Sequence, residues 1–173
     1  IGGSYLGPSL MEDIFASPDM EIKFITGSDP AEYYEFTRQD LSEYAFIITS
    51  KSFSTIETLA SYTAITKGEL FDQTYAVTSD IKKAESYGLD SNNIAEIDIG
   101  TGGRFSVWSA VNLGLFIRLG REGFENFLSG GKAIDNHSWK GIKNNPALSL
   151  AIQDLIMNNL LEMDSTLILN YDY

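Results

Sequence analysis

The stretch "YAFIITSKSFSTIETL", residues 44–59, combines an apolar run, a polar loop and the start of a segment with helical period. Its first part, "YAFIIT" (Tyr44 to Thr49), is mostly apolar on both faces of a strand. This is typical of a parallel strand covered by helices on both sides. The spacing that follows predicts a helix from Thr55 to Lys67. A strand, a short polar loop and a helix in this order favour an α/β fold.

The same alternation continues on both sides of this stretch. Further strands are predicted at Glu21 to Thr26, Thr74 to Thr78 and Ile94 to Ile99. Helices are predicted near Pro8 to Phe15, Pro30 to Thr37, Asp80 to Tyr87, Ser106 to Leu119, Phe124 to Ser129 and Pro146 to Leu161. If Ile1 ends another strand, the parallel sheet has five. We therefore predict a three-layer αβα sandwich with right-handed crossovers.

Composition limits the classes of function. The chain has 173 residues, as expected of one domain, and its 24 acidic against 12 basic residues give a net charge of -12. Without a Lys/Arg cluster, nucleic acid is not an expected partner, and no long apolar run suggests a membrane span. The chain lacks cysteine and has one histidine, His137, so neither a disulfide nor a Cys- or multi-His metal site is expected.

Both ends suggest a piece of a longer protein. The chain opens on Ile1 without a methionine, as though entering at the end of a strand. It closes on "STLILNYDY", residues 165–173, an apolar run typical of a buried strand. We expect that residues 1–173 are one domain excised from a longer chain.

Three polar loops, "GGSYLG", "SKSFST" and "GTGGRFS", fall at the carboxyl ends of predicted strands. Ligands of parallel sheets bind beyond these ends. The second loop contains four hydroxyl side chains and one cation: Ser50, Ser52, Ser54, Thr55 and Lys51. Placed before a helix, they suit a phosphate or a similar anion, because helix N-terminal N–H groups and the helix dipole favour negative charge. The alternative is that Ser54 or Thr55 merely caps the helix.

The other two loops are less specific alone. In the first, the glycines do not match the G-x-G-x-x-G spacing of a dinucleotide-binding domain. Gly2 and Gly3 would instead allow a ligand close to the backbone, with Ser4 donating a hydrogen bond to it, and the alternative is an ordinary tight turn. In the third, Arg104 could stabilise negative charge on a ligand or form a structural salt bridge. Glu57 and His137 are weaker acid/base candidates, and both have a structural alternative.

Taken together, "IGGS.LGP", "SK.F.T.ET" and "GGR.S.WSA", in this order, resemble the glucose-6-phosphate isomerase family. "GFENFLSGGKAIDNHS" and "LILNYDY" extend the resemblance along the whole chain. The looser S-x-S-x-x-T pattern also resembles the phosphosugar signature of SIS domains. The resemblance implies the first SIS domain of such an isomerase, which is flavodoxin-like and doubly wound.

The resemblance also implies the roles of individual residues. The phosphate would be held by Ser4, Ser50, Lys51, Ser52 and Thr55. Gly103 and Arg104 would lie beside the reacting carbons, where the arginine stabilises an enediolate, and Gly3 and Glu57 would lie near the site. Three positions depart from the family pattern: Thr101 replaces a valine, Ser52 replaces a threonine and keeps its hydroxyl, and Ile56 replaces a glutamine.

The activity implied by the resemblance is aldose–ketose isomerisation of glucose 6-phosphate and fructose 6-phosphate through a cis-enediol, by a cytoplasmic homodimer without metal or organic cofactor. The family's proton-transferring glutamate, ring-opening histidine and late lysine have no counterpart here, so this chain alone is expected to be inactive. The rival interpretation is a non-catalytic SIS module that senses a phosphosugar. The motif "GGRFSVWSA" counts against it, because a sensor does not need the arginine at the reacting carbons.

Overall fold

A computed structural model describes residues 3–27 and 29–169. The helices and strands, in chain order, are α1 (Gly3–Phe15), α2 (Pro30–Tyr33), β1 (Phe46–Thr49), α3 (Ile56–Thr66), β2 (Thr74–Thr78), α4 (Ile81–Ser86), β3 (Ile94–Glu96), α5 (Leu113–Ser138) and α6 (Pro146–Leu160). Short 3-10 helices occupy Phe36–Arg38, Ser91–Asn93, Gly103–Trp108, Ala110–Asn112 and Ile142–Asn144.

The three described strands form one parallel sheet in the order β1-β2-β3. Phe46 of β1 lies opposite Thr74, and Ala76 of β2 lies opposite Ile94. The predicted strand at 74–78 is confirmed, the one predicted at 44–49 begins at Phe46, and β3 ends at Glu96 rather than at Ile99. The parallel α/β character predicted from the sequence is therefore correct.

Apolar side chains cover both faces of this sheet, as expected of parallel strands packed between helices. On one face, Ile48 and Ala76 pack with Phe53, with Tyr62 of α3 and with Ala84 of α4. On the other face, Val77 and Ile97 pack with Val111 of the 3-10 helix Ala110–Asn112, and Ile47, Ala95, Ala110 and Leu113 surround them. This arrangement is compatible with the predicted three-layer sandwich.

The segment 21–26, predicted as a strand, has no regular secondary structure. The backbone N–H groups of Thr26 and Gly27 donate instead to the carboxylate of Glu32, at 2.8 Å and 3.1 Å. In a sheet, these N–H groups would have to donate to the carbonyl groups of a neighbouring strand. The described sheet therefore has three strands of the five predicted, and the predicted strand ending at Ile1 lies outside the described residues.

Helix α1 begins at Gly3, one turn and more before the predicted start at Pro8. Because Pro8 has no N–H, it leaves a gap in the hydrogen bonds of the helix without ending it. The helix packs against the 3-10 helix Gly103–Trp108, and Gly7 faces Val107 at the contact. Near the other end of α1, the buried guanidinium of Arg118 binds the carboxylate of Glu12 and donates to the carbonyl of Met20.

Three predicted helices differ in extent from those in the structure. Asp29 caps α2 as expected, accepting a hydrogen bond from Ala31 N at 2.9 Å, but the α-helix stops at Tyr33 rather than at Thr37. The predicted helix Phe124 to Ser129 is confirmed as part of the longer helix α5. Of the predicted helix Ser106 to Leu119, residues 113–119 belong to α5, and most of the residues before them form two 3-10 helices. Helix α5 is interrupted at Gly120, whose φ of 66° is in the region that favours glycine.

The chain divides into two compact units, Ile1–Phe124 and Glu125–Tyr173. In the second unit, Asn145 caps α6 through its side-chain oxygen, 3.0 Å from Leu148 N. Trp139 is 91% exposed. The described part of the predicted final strand, residues 165–169, is irregular and exposed, and residues 170–173 lie outside the described part. Over the described ranges, no helix is both long and apolar enough to cross a bilayer.

Candidate functional site

The loop between β1 and α3 brings two hydroxyl groups together. The side chain of Ser50, 4% exposed, lies with its Oγ 2.9 Å from Thr55 Oγ1. Thr55 occupies the N-cap position of α3, yet its side chain makes no capping hydrogen bond. Thr55 is thus the N-cap residue by position, but its hydroxyl bonds to Ser50 and not to the helix backbone. The first N–H groups of α3 have no partner within the helix, as at every helix start, and remain available to an acceptor.

The backbone of this loop is attached to the end of β2. The carbonyl oxygen of Lys51 accepts three hydrogen bonds, from Thr78 Oγ1 at 3.0 Å, from Ser79 N at 2.9 Å and from Ser79 Oγ at 2.7 Å. Ser50 N also donates to the carbonyl of Val77 at 3.1 Å. These bonds continue the pairing of β1 with β2 beyond the strands, so the loop is fixed to the sheet.

Phe53 holds the centre of the loop in an unusual conformation. Its φ is 44°, in the left-handed region that residues with a Cβ atom avoid. The side chain is 3% exposed, and its ring packs edge-on against Tyr87 at 5.7 Å between centroids. Burial of the ring compensates for the backbone strain. With the ring buried, the polar residues on either side of Phe53 lie at the surface.

The loop that contains Arg104 lies next to the Ser/Thr loop. The ammonium nitrogen of Lys51 is 3.8 Å from the position that a Cβ atom on Gly102 would occupy. Gly103 has a φ of 60°, and the N–H of Gly100 donates to the Asp98 carboxylate at 2.6 Å. The two motifs that the sequence places about 50 residues apart therefore meet at one edge of the sheet.

Arg104 is exposed, and its guanidinium carbon lies 5.1 Å from the centroid of the Phe105 ring. Within residues 3–27 and 29–169, Arg104 forms no ion pair, so the alternative of a structural salt bridge is not observed. Ser106 Oγ donates to the Gly103 carbonyl at 2.7 Å and fixes the turn from which the arginine extends. The guanidinium is therefore free to meet a ligand at this edge.

The remaining predicted residues take several positions. Ser4 is half-buried in the first turn of α1, the helix that packs against Gly103–Trp108, and Gly3 is the first residue of that helix. Glu57 is exposed in the first turn of α3. His137 belongs to the second unit, where its Nδ1 lies 2.7 Å from the Ala133 carbonyl.

Sequence reasoning missed three residues around the loop: Thr78, Ser79 and Lys83. The first two stand at the end of a predicted strand, a position where polar side chains commonly support a site, and this signal could have identified them. Lys83 gives no such signal, because it lies within a helix. Among the described residues, no group of His, Cys, Asp or Glu could hold a metal ion.

The family model for phosphoglucose isomerase matches residues 1–173. The chain therefore belongs to the phosphoglucose isomerase family, as the motifs indicated.

Curated relatives agree with this assignment, and a solved structure has a similar fold. A protein of Christiangramia forsetii named glucose-6-phosphate isomerase is 32% identical over 99% of this chain and 34% of its own length. A protein of the same name from Shewanella loihica is 29% identical over 100% of this chain and 34% of its own length. The crystal structure of a hypothetical protein from Thermus thermophilus has a TM-score of 0.78 and 25% identity, covering 92% of this chain and 41% of that one. The chain thus spans about a third of the length of these curated relatives.

Proposed function

We propose that this chain is the phosphate-binding SIS domain of a glucose-6-phosphate isomerase. The observation that carries the proposal is the contact of the Ser/Thr loop with the Gly-Gly-Arg loop, where Lys51 lies beside Gly102. One loop has the chemistry to hold a phosphate, and the other has a guanidinium for charge on the sugar. The curated relatives named glucose-6-phosphate isomerase support the choice of substrate.

In this proposal the phosphate binds beside the N-terminus of α3. Ser50 and Thr55 share one hydrogen bond in the free protein, and each hydroxyl can turn to donate to a phosphate oxygen. The first N–H groups of α3 add donors, and Lys51 adds a full positive charge. Ser52, on the same loop, and Ser4, at the start of α1, complete the proposed phosphate-binding set.

Arg104 and Gly103 act at the reacting carbons. Isomerisation removes the proton from C2 of the open-chain aldose, so that a C1–C2 double bond forms and the former carbonyl oxygen on C1 takes the negative charge and then a proton. The O2 hydroxyl next loses its proton as the carbonyl forms at C2, and a proton returns to C1. Negative charge develops on oxygen as the enediolate forms, and a guanidinium fixed at this point stabilises it. Gly3 and Glu57 lie near the substrate without moving this proton, and the base belongs to the rest of the isomerase.

The proposed parent is a cytoplasmic homodimer that works on the sugar phosphate without metal or organic cofactor. Neither nucleic acid nor a membrane is a partner in this proposal. The same chemistry in the opposite direction converts fructose 6-phosphate to glucose 6-phosphate, so the enzyme serves both glycolysis and gluconeogenesis.

The test measures binding of 6-phosphogluconate, a phosphorylated sugar acid, to the full-length isomerase chain that carries these residues. Ser50→Ala and Thr55→Ala should each weaken binding about ten- to hundredfold, as expected when a hydrogen bond to a charged group is lost. Thr63→Ala is the matched control, because Thr63 is an exposed threonine of the same helix whose hydroxyl bonds to the Leu59 carbonyl. Equal affinities for all three variants and the wild type would contradict the proposed site.

A further inference from the structure

Lys83, a residue of α4, reaches the Ser/Thr loop. Its ammonium nitrogen lies 3.4 Å from the carbonyl oxygen of Ser52 and 3.3 Å from Asp80 Oδ2. The side chain is 51% exposed, so the charge is placed at the rim of the loop rather than inside it. The neighbouring Lys82 is also exposed and belongs to the same helix.

The position of Lys83 relative to the loop is fixed by the backbone. Thr78 and Ser79, which hold the Lys51 carbonyl, come immediately before Asp80, the N-cap of α4. Asp80 Oδ1 accepts from the backbone N–H of Lys83 at 3.1 Å, while Oδ2 of the same carboxylate contacts the Lys83 ammonium. One carboxylate therefore caps the helix and holds the lysine side chain toward the loop.

A second cation at this loop has a physical role. The protein has a net charge of -12, which repels a sugar phosphate as it approaches. A phosphate dianion binds only where local cations outweigh this field, and Lys51 is one of them. An ammonium at the rim of the same loop adds attraction over several ångströms, even though Asp80 compensates part of its charge.

We propose that Lys83 is a further sugar-phosphate-binding residue, which supplies a second positive charge at the phosphate loop and donates to the Ser52 carbonyl. The proposal rests on the proposed function of the loop. It assigns Lys83 to substrate affinity and not to the chemical step.

The test compares three variants of the full-length isomerase chain, measuring KM for glucose 6-phosphate, turnover, and inhibition by 6-phosphogluconate. Lys83→Met removes the charge and keeps most of the stem, and should raise KM and the inhibition constant about three- to tenfold with turnover unchanged. Lys82→Met removes the same charge from the same helix and should change neither value by more than about twofold. Lys83→Arg should restore most of the affinity, because it restores the charge.

Salt provides a second readout. The difference between wild type and Lys83→Met should shrink as ionic strength rises from about 0.05 M to about 0.5 M, because screening weakens the attraction between partly exposed charges. Equal KM values for wild type and Lys83→Met, or equal losses in Lys82→Met and Lys83→Met, would overturn the proposal. If Ser50→Ala still weakens binding in that case, the proposed function stands and only the role of Lys83 fails. Absence of 6-phosphogluconate binding to the wild type would overturn both.

Discussion

Gly7 of α1 and Val107 of the 3-10 helix Gly103–Trp108 are so close that a Cβ atom on Gly7 would lie 2.6 Å from the Cβ atom of Val107. Real Cβ atoms do not approach this closely, so any side chain at position 7 pushes the two segments apart. One of these segments begins beside Ser4 and the other beside Arg104. The spacing between two parts of the proposed site therefore depends on a glycine.

Gly7→Ala should destabilise the protein by up to about 2 kcal/mol, because an overpacking cost of about 1–3 kcal/mol is offset by a gain of about 1 kcal/mol in helix propensity. Urea denaturation followed by circular dichroism measures this change. Gly130→Ala in α5 is the control, since a Cβ atom there would meet nothing within 4 Å, and it should stabilise. If Gly7→Ala stabilises the protein, the contact between position 7 and Val107 has room for a methyl group.

Arg104 and Ser52 should affect different kinetic constants in the full-length isomerase. Arg104→Ala should lower turnover about 100- to 1,000-fold, because the proposed contact strengthens only as the enediolate forms. Ser52→Ala should mainly raise KM, because it removes a contact already present with bound substrate. Steady-state kinetics in both directions measures both effects.

Arg104→Lys should rescue turnover poorly, since an ammonium group lacks the planar fork of a guanidinium. If Arg104→Ala raises KM and leaves turnover intact, the arginine only binds substrate. The interpretation of the domain as a phosphosugar sensor would then regain support.

Residues 1–173 alone should not interconvert glucose 6-phosphate and fructose 6-phosphate. Proton transfer between adjacent carbons needs a positioned base. Glu57 is exposed on the first turn of α3, and the His137 Nδ1 is directed at the Ala133 carbonyl. A coupled assay with purified chain measures the activity, and product formation that Glu57→Gln abolishes would contradict the prediction.

Removing one partner of the ion pair between Glu12 and Arg118 should cost more stability than removing both, because the charge that is left stays partly buried without a partner. The Arg118 side chain is 4% exposed and that of Glu12 is 19% exposed. Arg118→Met leaves a partly buried carboxylate without its partner and should destabilise by about 3–5 kcal/mol, whereas Glu12→Gln combined with Arg118→Met should recover part of the loss.

Lys23→Met provides the control for this double-mutant cycle. Lys23 pairs with Glu21 at 2.6 Å, but both side chains are more than half exposed. Its removal should change the free energy of unfolding by less than about 1 kcal/mol. If Lys23→Met lowers the free energy of unfolding as much as Arg118→Met does, burial does not explain why one ion pair matters more than the other.

Lys67 should be replaceable by glycine with a gain in stability. It follows the last residue of α3 with φ 56° and ψ 30°, the left-handed conformation that glycine adopts without a steric cost. Lys67→Gly should raise the free energy of unfolding by about 0.5–1 kcal/mol, whereas Lys82→Gly inside α4 should lower it by about 1 kcal/mol. Thermal melts of the two variants at matched concentration give the comparison.

The sequence predicts β1 and β2 well because short runs that are apolar on both faces are typical of covered parallel strands. It predicts α3 well because the spacing of its apolar residues has the period of a helix. It fails at residues 21–26, which have the same strand-like composition. There the N–H groups of Thr26 and Gly27 bind the Glu32 carboxylate, a tertiary detail that composition does not encode.

The same limit applies to the candidate site. Ser50 and Thr55 could be placed together because a short loop connects their strand and helix. Lys83 could not, because its distance from Ser52 depends on the register of β1 against β2 and on the turn that follows. Lys83 contacts the loop through a backbone carbonyl, and such a contact requires no particular residue type that a sequence motif could show.

The attachment of the Lys51 carbonyl to Thr78 and Ser79 has a consequence for biosynthesis. The donors lie 27 and 28 positions later in the chain than the acceptor. During translation, residues 50–55 leave the ribosome well before the residues that hold them in shape, and domains fold as their segments emerge. A nascent chain stalled before Thr78 should therefore gain no protection from proteolysis when sugar phosphate is added. Protection should appear only in chains long enough for β2 to have paired with β1.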